Sequence, residues 1–413
     1  MNLDKPLYFS NISFNNFYDD FWNGIHSDAS SDGKMFIDIA RRINPCRFVS
    51  RNGVWELPWE QKIIPGFEMP EYDPSFTKTF EQVSDERALE VKARINNGER
   101  FAVMYSGGID STVVMSALIR NLTTEEKQSV VVCGSADSVV ENPVFWASQI
   151  VGKFTIKNSS INKYHDLIEA GYVPITADEG DCIFGTVLGL QMYANYDHYI
   201  KDLSPDTKAR LGALKSKISS GDTHYSAYKD LLIRHLQLDD NQEFGAFIYE
   251  KLDHNIKTAS VPVNSLHDFF WWEIFNVKYL NCAVRGALFY NDRIEWSKCI
   301  NTIMNWYSGT DYQRWSMANN NNGTKIQNTH ASYKTVAKDY IWSVDRNDWY
   351  RNFKIKLDSM WTLTIHQDVS EMDFKLRPVS RAGLTGDFEM MYLGDPQVQD
   401  FFRDKIINYK RSW

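Results

Sequence analysis

Residues 101–120, FAVMYSGGIDSTVVMSALIR, constrain the fold of this chain more than any other stretch. FAVMY is an apolar run of strand length, and VVMSALIR has helical spacing. Between them stand two adjacent glycines, Gly107 and Gly108, with Ser106, Asp110, Ser111 and Thr112 around the bend. Glycines permit a sharp turn and a close approach of the backbone to a ligand, and a helix that starts there presents free N–H groups and its positive dipole end. The hydroxyls add further donors. The segment therefore reads as a strand, an anion cradle and a helix, with a glycine turn used only for packing as the competing explanation.

The flanking sequence extends this unit. SDERALEVKARINNGE (84–99) reads as a helix with a Ser cap that stops at Asn-Asn-Gly. SVVVCGS (129–135) is a second β-branched run; a helix is expected around 142–151, a strand at KFTIKN (153–158) and a helix at 160–170. Strands that alternate with helices in this way predict an α/β fold with a parallel sheet. Residues 186–360 read mostly as helices with polar connectors, and ANNNNGTKIQN (318–328) as an exposed loop. Ahead of the Pro-punctuated connector PGFEMPEYDPSF (65–76), RFVSRNGVWELPW (47–59) reads as two short strands around an Asn-Gly turn. The expected organisation is a small aromatic-rich, β-containing region at 1–78 and one large domain at 79–413, whose α/β core ends near 200 and is followed by a helical part.

Composition narrows the function classes. The net charge of −8 supplies no global basic field, so a nucleic-acid substrate would need a local patch. No apolar stretch has the length of a membrane span, and MNLDKPLYFSN lacks the basic and apolar regions of a secretory signal, so the cytoplasm is the expected compartment. Cys46, Cys133, Cys182, Cys282 and Cys299 form no C-x-x-C pair, which suits reduced, buried thiols. The thirteen tryptophans are read as packing between helices rather than as base-stacking platforms.

Neither G-x-G-x-x-G nor the lysine of G-x-x-x-x-G-K-[ST] is present at the bend. SGGIDS resembles instead the S-G-G-x-D-S loop of the PP-loop, or N-type, ATP pyrophosphatases. That likeness implies a HUP-like core, with Ser106, Gly107, Gly108, Asp110, Ser111 and Thr112 binding the pyrophosphate end of ATP. TADEGDCIFG (176–185) resembles the G-[DE]-G-[GA]-D-E-L-F-G segment of asparagine synthetases, with Asp178 and Asp181 in the acidic places and Phe184 and Gly185 closing it. Ala177, Glu179 and Cys182 depart from that pattern, Cys182 by replacing a glutamate. The resemblance implies magnesium held by Asp110, Asp178 and Asp181; carboxylates facing a phosphate cradle need a divalent cation between them.

The likeness spans roughly residues 80–360. AVRGALFYND (283–292) is similar to the family's R-x-P-F-L-D, with Arg285, Phe289 and Asp292 in its places. SYKTVAKDYI and YRNFKIK look like the later segments that supply a pyrophosphate-binding lysine, for which Lys354 ranks first, Lys356 second and Lys334 third. Asp137 and Glu141 lie where the family holds adenine. Residue 2 is Asn2 and fewer than eighty residues precede the synthetase-like part, so that family's glutaminase domain is not expected.

The resemblance implies an ATP- and Mg2+-dependent ligase in which Asp110, Asp181 and Lys354 are catalytic. It would adenylate a small-molecule carboxylate, release pyrophosphate and accept ammonia, from a separate source, or an amine. Two alternatives stay open: activation of a nucleobase carbonyl in a nucleotide, tRNA or DNA, and a non-catalytic ATP-binding relative. Six of the nine histidines, His165, His198, His224, His235, His254 and His267, are too dispersed to nominate a general base.

Overall fold

The computed structural model describes residues 51, 67–159, 162–185, 246, 250, 253–264, 268, 271–280, 282–283, 296–319 and 334–354. The chain divides into two compact units. One comprises Met1–Phe76, Glu179–Arg285 and Ser316–Gly323; the other comprises Thr77–Asp178, Gly286–Trp315 and Thr324–Trp413. The expected hairpin at 47–59 and Arg285, Phe289, Asp292 and Lys356 lie outside the described residues, as does most of the 318–328 loop.

The second unit is built on a parallel sheet. Its strands are β1 (Arg100–Met104), β2 (Val130–Gly134), β3 (Thr155–Asn158), β4 (Tyr172–Thr176) and β5 (Met304–Asn305), in the order β3-β2-β1-β4-β5. Phe101 pairs with Val130 on one side of β1 and with Val173 on the other. The chain thus builds outward from β1 to β3 and then returns to the opposite flank of β1. Such a reversal opens a crevice at the carboxyl ends of the strands, the position where Rossmann-like α/β sheets take ligands. Every residue of β2 is buried, which explains its uninterrupted VVVC run.

Helix α1 (Phe80–Asn96) precedes the sheet and α2 (Ile109–Asn121) follows β1. Helix α2 buries Ile109 and every residue from Ser111 to Leu118, so it is enclosed on all sides, with α1 and α8 (Thr335–Asp345) packed on it. Buried hydroxyls tie these layers together: Trp306 Nε1 donates to Tyr312 Oη, which donates to Ser84 Oγ of α1, each at 2.8 Å. Tyr340 Oη of α8 donates to Asp85 at 2.6 Å. The ring of Phe80 meets Tyr340 and, from α7 (Thr310–Ala318), which follows α6 (Trp296–Thr302), Tyr312 and Trp315, all edge-on. The aromatic richness of the chain here serves packing.

Several element boundaries differ from the sequence expectation. The cap of α1 is Thr79, in a reciprocal capping box with Gln82. Ser84 lies inside the helix and bonds back to the Phe80 carbonyl at 2.7 Å. The segment after β2, noted from sequence only for Asp137 and Glu141, forms α3 (Ala136–Glu141), because Ser135 and Ser138 make a second capping box. The helix expected at 142–151 is a short turn, Pro143–Phe145, continued by a π turn, Trp146–Ile150. The helix expected at 160–170 is α4 (Tyr164–Glu169). Strands β4 and β5 had no strand-like reading. Pro174 disguises β4, yet it pairs with Ala102 of β1, and β5 flanks β4 only at Ile175 and Thr176. The proline therefore sits where one side of the strand carries no ladder.

In the first unit, α5 (Gly180–Phe184) and a π helix, Glu273–Lys278, pack together. Arg51 is buried there with its guanidinium 3.8 Å from the centre of the Tyr279 ring. It also donates to the carbonyls of Phe67, Glu68 and Phe275. Burial pulls this arginine down to about 10, with the Tyr279 hydroxyl opposing the shift. No helix among the described residues is long and apolar enough to cross a membrane.

Candidate functional site

The bend between β1 and α2 lies at the carboxyl end of the strand where the sheet order reverses. Gly107 adopts φ +79°, and a Cβ there would stand 2.7 Å from Glu141 Cβ and closer still to the Ser138 carbonyl. Both the left-handed backbone and the contact with α3 demand glycine. Gly108 is the N-cap of α2 and leaves that terminus without a side-chain cap. The thirteen-residue helix thus points an uncapped positive end into the bend.

The hydroxyls shape the loop from within. Ser106 Oγ and Ser111 Oγ are 3.0 Å apart, the Ser106 N–H donates to Ser111 Oγ at 3.2 Å, and the Gly108 N–H donates to Ser106 Oγ at 3.3 Å. Thr112 Oγ1 donates to the Gly108 carbonyl at 2.8 Å. Of the hydroxyl residues named from sequence, Ser111 and Thr112 are buried and Ser106 is half-buried at the mouth.

Asp110 sits in the first turn of α2, where a carboxylate complements the helix dipole. Lys334 Nζ lies 2.5 Å from both of its carboxylate oxygens, and Tyr307 Oη donates to its backbone carbonyl at 3.0 Å. Lys334 is the N-cap of α8 and holds φ +54°; with Arg346 it is one of two non-glycine residues at positive φ among those described. A left-handed lysine is a strained backbone state, costing roughly 1–2 kcal/mol. Its buried side chain is delivered straight to the first turn of α2.

Lys354 is placed differently. It is 2% exposed, caps helix α9 (Asp348–Phe353), and its ammonium bonds Glu141 Oε1, the last residue of α3. Lys338 Nζ donates to the Lys354 carbonyl at 2.9 Å, and burial, with the Lys354 charge next, pulls Lys338 down to about 8. The two lysines therefore divide the work: Lys334 meets the carboxylate inside the bend, and Lys354 meets the helix that backs it. The sequence ranked Lys354 first and Lys334 third as pyrophosphate ligands, and nothing local marks which lysine folds over Asp110. It had no signal at all for Tyr307 or for the contact of Ser138 with Gly107.

The acidic segment is split between the units. Asp178 follows β4 at the carboxyl edge of the sheet, half-buried, its N–H donating to Thr176 Oγ1 at 3.4 Å. Asp181 is half-buried in the first turn of α5 in the other unit. Cys182 points into that unit's interior. Burial, and then the neighbouring Cys282 thiol, hold it well above the usual thiol range. An ionised glutamate at this position would carry a large desolvation penalty. Glu141 lies behind the loop, and the side chain of Asp137 is outside what is described.

Among the described residues no three His, Cys, Asp or Glu side chains gather as a metal site. The donor set of the second unit nevertheless suits magnesium carried on a polyphosphate, because Mg2+ typically takes one or two protein carboxylates and draws its other ligands from phosphate and water. Asp110 and Asp178 are oxygen donors on that edge. Comparison with protein-family models, curated proteins and solved structures finds no match for this chain.

Proposed function

We propose that the second unit is an ATP-binding module of the PP-loop type. On this reading the protein is a Mg2+- and ATP-dependent ligase that adenylates a carboxylate, releases pyrophosphate and transfers the acyl group to ammonia or an amine. One observation carries the reading: an uncapped helix N-terminus, fringed by Ser106 and Ser111 with Lys334 at its first turn, sits where the sheet order reverses.

A carboxylate oxygen of the substrate attacks the α-phosphorus of ATP, the bond to the α,β-bridging oxygen breaks, and its electron pair leaves with pyrophosphate. The amine nitrogen then attacks the acyl carbon, loses a proton and expels AMP. Charge grows on the leaving pyrophosphate, where the N–H groups of the bend, the hydroxyls of Ser106 and Ser111 and the Lys334 ammonium would stabilise it. Magnesium, when bound, supplies neutralisation of phosphate charge; Asp110 and Asp178 are the carboxylates of this unit that would hold it. With magnesium held by Asp110 and Asp178, the Lys334 ammonium beside Asp110 would be positioned to contact phosphate.

The test is release of AMP and pyrophosphate from Mg-ATP in the presence of pools of amino acids, nucleosides or RNA. Release that depends on amino acids supports the ligase. Release that depends on nucleosides or RNA moves the assignment to nucleobase activation. ATP binding without release under any pool identifies a non-catalytic relative.

A further inference from the structure

The buried pair Glu141–Lys354 lies behind the cradle rather than in it. Glu141 closes α3, its Cβ abuts the space a side chain at Gly107 would need, and Ser138 Oγ of the same helix donates to the Tyr105 carbonyl at 2.7 Å. Helix α3 is thus the surface on which the bend is moulded. Lys354 reaches Glu141 from the end of α9, and its carbonyl is held by Lys338 of α8. Helix α8 in turn begins at Lys334, which grips Asp110. Residues 334–354 consequently hold the bend at two points: its helical exit through Asp110, and its backing helix through Glu141.

We infer that Glu141 and Lys354 are positioning residues, whose ion pair sets the direction of the N–H groups at Gly107–Ser111 without touching the bound phosphates. A buried ion pair contributes little net stability against apolar side chains of similar volume, whereas its directional bonds fix geometry. That asymmetry separates the inferred role from simple packing. The inference rests on the ATP reading for its ligand, but the ordering of the bend can be measured without one.

The experiment compares the full-length protein with Glu141→Met/Lys354→Met, with the reversed pair Glu141→Lys/Lys354→Glu, and with Glu141→Gln and Lys354→Met alone. Measured are the melting temperature, affinity for Mg-ATP and for magnesium pyrophosphate, and amide exchange of residues 106–112 without ligand. The double-methionine variant should melt near the parent temperature, exchange those amides faster and bind both probes about 10-fold more weakly. The reversed pair should recover most of the affinity. Parental exchange and parental affinity in a folded double-methionine variant would overturn the inference. So would weak binding in Lys354→Met with parental binding in Glu141→Gln, since Lys354 would then be a phosphate ligand. If the parent protein binds neither probe, the ATP reading falls, and amide exchange alone still decides whether the pair orders the bend. Should the double-methionine variant not fold, Glu141→Gln and Lys354→Met carry the same measurements.

Discussion

Lys334 Nζ lies 2.5 Å from both carboxylate oxygens of Asp110, a residue 224 positions away in the chain. The pair sets one cation against one anion at the first turn of the helix that leaves the glycine bend.

Replacing Lys334 by Asn removes the ammonium but keeps a residue type that tolerates left-handed backbone. The variant should fold, and its ATP-dependent pyrophosphate release should fall by about 100-fold or more. Asp110→Asn should be at least as damaging. Steady-state turnover with the activating substrate pool is the measurement, and a fully active Asp110→Asn protein would sink the cradle assignment.

Gly107→Ala should destabilise the fold by roughly 2 kcal/mol or more, because both the positive φ and the Ser138 backbone oppose a methyl group. Gly98→Ala is the matched control. It shares a positive φ of 91° but has no atom within 4 Å, so only the conformational penalty of about 1 kcal/mol remains. Urea melts of the two variants separate steric from conformational strain.

Asp345 shapes the pH dependence of stability. Its Oδ1 accepts the Asn347 N–H at 2.9 Å, while Oδ2 is buried without a hydrogen-bond partner among the described residues. Burial pushes its carboxyl up to about 7. Between the ordinary carboxylate range and pH 7 the folded state binds more protons than the unfolded one. This group's contribution therefore weakens as pH rises through that window, by at most about 1.4 kcal/mol per unit. Asp345→Asn should raise the melting temperature relative to the parent at pH 8 and leave it nearly unchanged at pH 4.

Cys133, Cys182, Cys282 and Cys299 are all buried. Burial pushes the Cys133 thiol up to about 12 and that of Cys299 up to about 11. In the native protein at pH 8, iodoacetamide should modify none of these four, and denaturation should expose all of them, as read by peptide mass spectrometry.

The strand, bend and helix at 101–121 were legible because each is a local statement: a β-branched or aromatic run, two glycines, an apolar helical repeat. Strand β4 was hidden by Pro174, which is tolerated because β5 lies beside only the end of the strand. Strand β5 spans two residues and exists only as a ladder partner for Ile175 and Thr176. Helix α3 was missed because its signal is a Ser135–Ser138 capping box in a stretch read for its acids. Cys182 looked from sequence like a lost carboxylate, and it is fully buried beside Cys282.

By itself the sequence determined an α/β parallel-sheet core with a glycine bend between its first strand and the helix that follows, since glycine tolerance and hydrophobic period act over a few residues. Only the tertiary structure decided which strands flank that bend, that Lys334 meets Asp110, and that Lys354 meets Glu141. Those outcomes depend on the juxtaposition of segments more than two hundred residues apart, such as the 213 between Glu141 and Lys354. No local propensity encodes which of two buried lysines a folded chain will bring to a given carboxylate.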